Sequence, residues 1–165
     1  ARFKVELNSG QDLNLYGCDD ISFLFSANKG GDFKELHKVA SGGELSRLML
    51  SIKYVIASFT ALPTILFDEI DTGVSGEVGA RIGNIIEEMS TKMQVISITH
   101  LPQIAGRGNH HLLVYKKDVK NKTFSFIREL DKNDRIEELA KMLSSGKPTK
   151  ASLQNAEELL QQSNN

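Results

Sequence analysis

A chain of 165 residues, 40% hydrophobic and 25% charged, has the make-up of one ordinary globular domain with a buried core, and residues 1–165 are read as that single domain. Its 20 basic and 21 acidic residues give a formal net charge of −1, which excludes a general electrostatic pull toward nucleic acid. The lone cysteine, Cys18, excludes an internal disulfide and a cysteine-built metal cluster and reads as a packing residue; the absence of an apolar run near ~20 residues argues against a membrane span.

The opening ARFKVELNSG lacks a signal-peptide pattern, so a cytoplasmic location is expected, and its immediate strand-like alternation reads as the start of a fragment. Arg2 to Leu7 alternates polar and apolar residues, and Ile21, Phe23 and Phe25 repeat that period of two, so both segments read as edge strands. NKGGD at Asn28 to Asp32 is a loop. Ser41 and Glu44 then form a Ser-x-x-Glu capping box around Gly42 and Gly43. Leu45, Leu48, Met49, Ile52, Val55, Ile56 and Phe59 fall on one helical face, which predicts a helix from about Gly42 to Phe59. Two glycines in its first turn cost roughly 1 kcal/mol each relative to alanine. They leave the free N–H groups and the positive end of the helix dipole bare, open to the close approach of a phosphate.

Thr64 to Phe67, TILF, is a short continuous apolar run that suits a strand buried on both faces, and it stops abruptly at Asp68, Glu69 and Asp71. Ser75 is placed to cap a second helix that turns Val78, Ile82, Ile85, Ile86 and Met89 inward. Gln94 to Thr99 is another buried strand, with His100 at its end, so the stretch reads as a βαβ unit. A hairpin follows near His110 to Lys116 and Thr123 to Glu129. Helices near Asn133 to Leu143 and Lys150 to Gln161 close the chain; Gly146 stops the first and Pro148 introduces the second. The terminal QQSNN reads as frayed.

Ligands bind at the carboxyl edge of open parallel sheets, so Asp68, Glu69, Asp71 and His100 are expected to converge on one crevice. Adjacent carboxylates on an extended strand face opposite ways, so one of the pair can hold a hard cation while the other is aimed at an attacking water. His100 can hydrogen-bond a phosphate oxygen or place that water. The chemistry suits metal-assisted phosphate hydrolysis.

Four segments carry a family resemblance, in order: ASGGELSR (Ala40 to Arg47) resembles the signature motif of ABC-type ATPases, TILFDEID (Thr64 to Asp71) a Walker B strand, DTGVSG (Asp71 to Gly76) a D-loop, and THLPQIA (Thr99 to Ala105) a switch-histidine segment. Their wording is similar to the SMC-like members of that family that serve bacterial DNA double-strand break repair and recombination. The resemblance implies an α/β fold, the C-terminal lobe of an ABC/SMC-type P-loop ATPase head, with a mostly parallel central sheet, flanking helices and an antiparallel hairpin. It implies ATP and Mg²⁺ as cofactors. Ser41, Gly42, Gly43 and Glu44 would then face the γ-phosphate of ATP held by a second copy in a head-to-head dimer. Asp68 would support Mg²⁺, Glu69 would be the general base, Asp71 would signal across the dimer, and His100 would sense the γ-phosphate. Arg47 is either an interface residue or a solvated one.

Nothing in the chain matches G-x-x-x-x-G-K-[ST], the loop that cradles nucleotide phosphates; GKPT at Gly146 to Thr149 has Lys141 where the upstream glycine belongs. The resemblance places that loop in an N-terminal lobe of the same head, beyond a coiled coil, so this chain alone is expected not to hydrolyse ATP. DNA would be engaged by the complete protein at the nucleoid, with no membrane involved. Lys116, Lys117, Lys120 and Lys122 could touch phosphates, although a solvated turn is the simpler reading. Rival readings are a stand-alone metal-dependent phosphohydrolase and a non-catalytic interaction module.

Overall fold

The computed structural model describes residues 1–38, 42–57, 59–60, 62–144 and 146–162. The chain divides into two compact units, Ala1–Ile52 and Lys53–Asn165. Among the described residues no helix is long and apolar enough to cross a membrane.

The first unit is an antiparallel sheet of β1 (Arg2–Asn14), β2 (Gly17–Ser26) and the short β3 (Lys34–Glu35). Phe3 pairs with Phe25, Val5 with Phe23 and Leu7 with Ile21, so the period-two pattern puts the apolar residues of both strands on one face. β1 runs well past Leu7, across a register shift between Ser9 and Asn14. At Gly10 an added Cβ would sit 2.6 Å from the Cys18 carbonyl oxygen, so the strands approach there only because position 10 has no side chain. Cys18 itself is exposed, not the packing residue its isolation implied, because its strand end lies beyond the apolar pairs.

The NKGGD loop is held from both sides. The buried Ser26 hydroxyl lies 3.1 Å from the Asn28 carbonyl and 3.0 Å from that of Gly31. Arg2 donates to the Gly31 carbonyl at 2.7 Å with its guanidinium 4.8 Å from the centre of the Phe33 ring. A 3₁₀ turn (Leu36–Lys38) precedes α1 (Gly42–Ala57), which ends two residues short of the expected Phe59.

In the second unit, β4 (Thr64–Asp68), α2 (Gly76–Ser90) and β5 (Gln94–Ile98) make the βαβ unit, with Ile65 opposite Val95 and Phe67 opposite Ser97 in parallel register. The strands were expected to be buried on both faces. Only one face is: Ile65 and Phe67 are buried, whereas Leu66, Ile96 and Ile98 are 55%, 41% and 50% exposed. β4 and β5 form a two-stranded sheet of their own, and among the described residues of this unit nothing covers that second face.

Helix α2 also departs from the simple amphipathic reading. Ser75 stands at its N-cap but makes no side-chain capping bond. Ile82 and Met89 are buried as the pattern requires, but Val78 is exposed and Gly79 and Gly83 are buried instead. The reason is α3 (Pro102–Ala105) and its flanks: a Cβ at Gly79 would meet Leu101 Cδ1 at 2.9 Å, and one at Gly83 would meet Arg107 Cδ at 2.7 Å. Arg107 then pairs with Glu87 on α2 at 2.6 Å.

A hairpin of β6 (Leu112–Val119) and β7 (Lys122–Glu129) follows, turned by Lys120 and Asn121 alone, both at positive φ. α4 (Lys132–Ser144) starts at Asp131, whose carboxylate accepts the Asp134 N–H at 2.9 Å, and α5 (Lys150–Gln162) starts with Thr149 and Ser152 bonding each other's backbone N–H. The two helices close a cluster of Leu139, Ala140, Ala156 and Leu160. Of the QQSNN expected to fray, Gln161 and Gln162 continue α5, and Ser163, Asn164 and Asn165 lie outside the described residues.

Arg135 on α4 ties this layer to the loop after α3, donating to the carbonyls of Gly106, Gly108 and Asn109. Burial, and the nearby Arg135 charge, push the His111 imidazole below its ordinary value of 6.5, with Glu138 opposing. The unfolded chain therefore takes up that proton first on acidification. The stabilisation is present above about pH 6.5 and is lost as pH falls through the folded-state value below it. Thermal unfolding at pH 7.5 and 5.5 should show a smaller loss on acidification for His111→Gln than for the parent chain; equal losses would remove His111 as a cause.

Candidate functional site

The carboxyl end of β4 is a forced backbone turn. Glu69 has φ 47°, the left-handed region that a residue with a Cβ adopts at a cost of order 1 to 3 kcal/mol. Its N–H still reaches back to the β5 ladder, donating to the Ile98 carbonyl at 3.1 Å. Its own carbonyl accepts from the N–H of Thr72 at 3.2 Å and from the Thr72 hydroxyl at 2.9 Å. The strand thus ends in a tight loop that sends Ile70 and Asp71 into the interior while leaving the Asp68 and Glu69 side chains in solvent.

Asp71 is fully buried. One carboxylate oxygen, Oδ2, accepts from the Thr99 hydroxyl at 2.5 Å and from the backbone N–H groups of His100 and Leu101 at 3.1 and 3.2 Å. The imidazole Nδ1 of His100 lies 3.3 Å from the same oxygen, with the ring otherwise exposed. The other oxygen, Oδ1, is buried with no hydrogen-bond partner among the described residues. A buried carboxylate requires bonds of this kind to offset its lost hydration, and here they come from the segment leaving β5. The ends of the two parallel strands are therefore fastened together through Asp71.

Of the four groups expected at this edge, Asp68, Glu69 and His100 present exposed side chains, and Asp71 is turned inward beneath His100. Asp71 thus reaches His100 through its carboxylate and has no surface of its own to offer a partner. Thr99 is a member of the site that the sequence reading passed over; a hydroxyl residue directly before the histidine was the available signal. Among the described residues no group of three or more His, Cys, Asp or Glu side chains could hold a metal ion. The exposed Asp68 carboxylate instead suits Mg²⁺, which keeps several waters and takes one or two carboxylates together with substrate phosphates. A self-contained metal centre built from Asp68, Glu69, Asp71 and His100 has no donor set here.

The capping-box segment belongs to the first unit. Ser41 lies outside the described residues. Gly42, at the first position of α1, is exposed with nothing within 4 Å of where a Cβ would stand; Gly43 is buried, and Glu44 and Arg47 are half-buried. Side-chain bulk is thus missing from the first two positions of a sixteen-residue helix, where the backbone N–H groups have no partner within the helix.

No protein-family model matches the chain. Curated relatives do: it is 40% identical over 161 residues to the DNA repair protein RecN of Vibrio cholerae, covering 97% of this chain and 29% of that protein. It is 39% identical over 161 residues to RecN of Haemophilus influenzae, with the same coverage, and 42% identical over 160 residues to RecN of Rickettsia conorii, covering 97% and 29%. The chain therefore spans under a third of the length of these relatives. Among solved structures, the Smc head domain with a coiled coil and joint from Pyrococcus yayanosii superimposes with TM-score 0.62 at 24% identity, over 83% of this chain and 25% of that one. A structure from a study of ATP-driven dimerization and DNA-stimulated activation of SMC ATPases gives TM-score 0.55 at 21% identity, over 86% of this chain and 81% of that one. These likenesses establish the fold: an α/β lobe of the SMC-head type, with a parallel pair and antiparallel hairpins.

The strain at Glu69 makes its own forecast. Glu69→Gly removes a side chain from a left-handed position and should raise stability by about 1 kcal/mol. Chemical denaturation measures this directly; a destabilised glycine variant would mean that the Glu69 side chain itself supports the fold.

Proposed function

We propose that this chain, which belongs to the RecN family and is the C-terminal lobe of an SMC-type ATPase head, supplies the hydrolytic and sensing half of a composite ATPase in DNA repair. The observation that carries the reading is the strained, solvent-facing Glu69 at the carboxyl end of a parallel strand, beside a histidine fixed from beneath by a buried carboxylate. Strain of that kind persists where a side chain is needed in one place.

Each residue then has a role. Glu69 takes the proton of the attacking water as its oxygen adds to the γ-phosphorus of ATP and the bond to the β,γ-bridging oxygen breaks, giving ADP and phosphate. Asp68 would help hold Mg²⁺. Bound with ATP, the ion offsets charge on the phosphate oxygens. His100 hydrogen-bonds a γ-phosphate oxygen, and Asp71 acts as a positioning residue that keeps the His100 backbone and ring in place. Gly42 and Gly43, with Ser41 and Glu44, offer the amino end of α1 to ATP carried by a second copy of the head.

The uncovered face of β4 and β5 supports an N-terminal lobe as the missing half. Parallel strands normally carry cover on both faces, and a two-stranded sheet is marginal by itself. Leu66, Ile96 and Ile98 are the residues such a lobe would bury, and the relatives have more than two thirds of their length outside this stretch to provide it. DNA acts through the complete protein, at the nucleoid in the cytoplasm.

The test is ATP hydrolysis by this chain alone and after mixing with a separately produced N-terminal lobe bearing the phosphate loop. Turnover should appear only in the mixture, and Glu69→Gln should reduce it by about 10²- to 10⁴-fold, the range of a lost general base. Turnover by the chain alone, or by the mixture with Glu69→Gln at the parent rate, would overturn the assignment.

A further inference from the structure

The β6–β7 hairpin has two unlike faces. The register pairs Leu113 with Arg128, Tyr115 with Phe126, Lys117 with Phe124 and Val119 with Lys122, and residues directly opposite in an antiparallel pair share a face. One face therefore carries three aromatic rings interleaved with Lys117 and Lys122, and Lys120 stands at the turn beyond them. Tyr115 and Phe126 stack with ring centres 5.6 Å apart, and the Lys117 ammonium lies 5.5 Å from the Tyr115 ring centre. Phe124 is 47% and Phe126 39% exposed, at the outer part of a ribbon whose second strand is exposed along its whole length.

The charges on the ribbon are unevenly committed. Arg128 is bonded to Asp134, His110 pairs with Glu129 at 2.6 Å, and Asp118 accepts from the Thr123 hydroxyl at 2.6 Å. Among the described residues Lys116, Lys117, Lys120 and Lys122 form no ion pair, and Lys117 lies against the Tyr115 ring, so both acids on the ribbon are engaged elsewhere and none of the four cations is neutralised. Lys120 moreover sits at φ 48°, where glycine or asparagine would be the easier residue, so a cation is kept at the turn against backbone preference.

We propose that this face binds single-stranded nucleic acid, its bases laid on Tyr115, Phe124 and Phe126 and its phosphates met by Lys117, Lys120 and Lys122. The exposed rings of Phe124 and Phe126 and the half-buried ring of Tyr115 offer bases a π-face, and cations placed between them follow the backbone. Same-face residues along a strand are about 6.8 Å apart, twice the roughly 3.4 Å step of a stacked duplex strand, which fits a stretched strand with splayed bases. The site is separate from the residues assigned to ATP, so it stands or falls without the hydrolysis assay.

Fluorescence anisotropy of a labelled oligothymidine of about 20 nucleotides, without nucleotide cofactor and at low salt, tests the proposal on this chain. Tyr115→Leu and Phe124→Leu keep apolar bulk and should each weaken binding about 5- to 100-fold, as loss of one stacked base does. Replacing Lys117 and Lys122 by Gln should flatten the slope of log affinity against log salt by about 0.7 per lysine. Lys120→Gly should weaken binding while leaving the hairpin at least as stable. No binding, leucine variants that bind like the parent, or capture of duplex and inorganic polyphosphate as strong as that of the single strand would overturn the proposal.

Discussion

The carboxylate of Asp71 is the fastening on which the working edge of this lobe depends. Removing a carboxylate from water costs several kcal/mol, and the burial is tolerable only where donors replace the lost hydration. Here a hydroxyl and two backbone N–H groups converge on one oxygen, all from the residues that leave β5. A contact between side chains alone could slide. Bonds to the backbone N–H of His100 and Leu101 fix the path of the chain, and with it the place where the imidazole emerges.

The same turn explains why Glu69 is strained. To drop Asp71 into the interior within three residues of a strand end, the chain must reverse quickly, and Glu69 absorbs the reversal at φ 47°. The segment after His100 is held just as closely, because Gly79 and Gly83 let Leu101 and Arg107 press onto α2. The backbone at the histidine is therefore held by the Asp71 carboxylate, and the residues after it by a glycine-lined helix face, while the ring itself stays largely exposed. Rigid support of this sort is what a group positioning a phosphate or a water requires, since small displacements weaken such chemistry strongly.

Much of this was legible in the residues. The helical spacing from Leu45 to Ile56 marked α1, the run TILF ending in acids marked β4, and the polar ends of the two parallel strands marked the edge where Asp71 and His100 meet, because periodicity and abrupt polarity changes are local properties. What depended on distant contacts was not legible. That Asp71 turns inward follows from donors 28 to 30 residues away. The burial of Gly79 and Gly83 follows from Leu101 and Arg107, and helical spacing alone favoured Val78. Continuous apolar strands read as covered on both faces; the pattern records the burial a strand is suited to and is silent on which chain supplies the cover. A turn was expected within Lys116 to Lys122, but its two-residue form at Lys120 and Asn121 was not legible, because neither residue is the glycine that marks such turns.

The one-sided β4–β5 sheet also bears on how far apart in sequence its two halves can lie. If the covering lobe is joined through a long intervening segment, the entropy of closing that loop grows only with the logarithm of its length, about 0.6 kcal/mol for each doubling. A large insertion is thus compatible with a stable head. Folding speed is the more sensitive quantity, since contacts between remote segments form late, and until they do, the open edges of β4 and β5 are free to pair with any exposed strand.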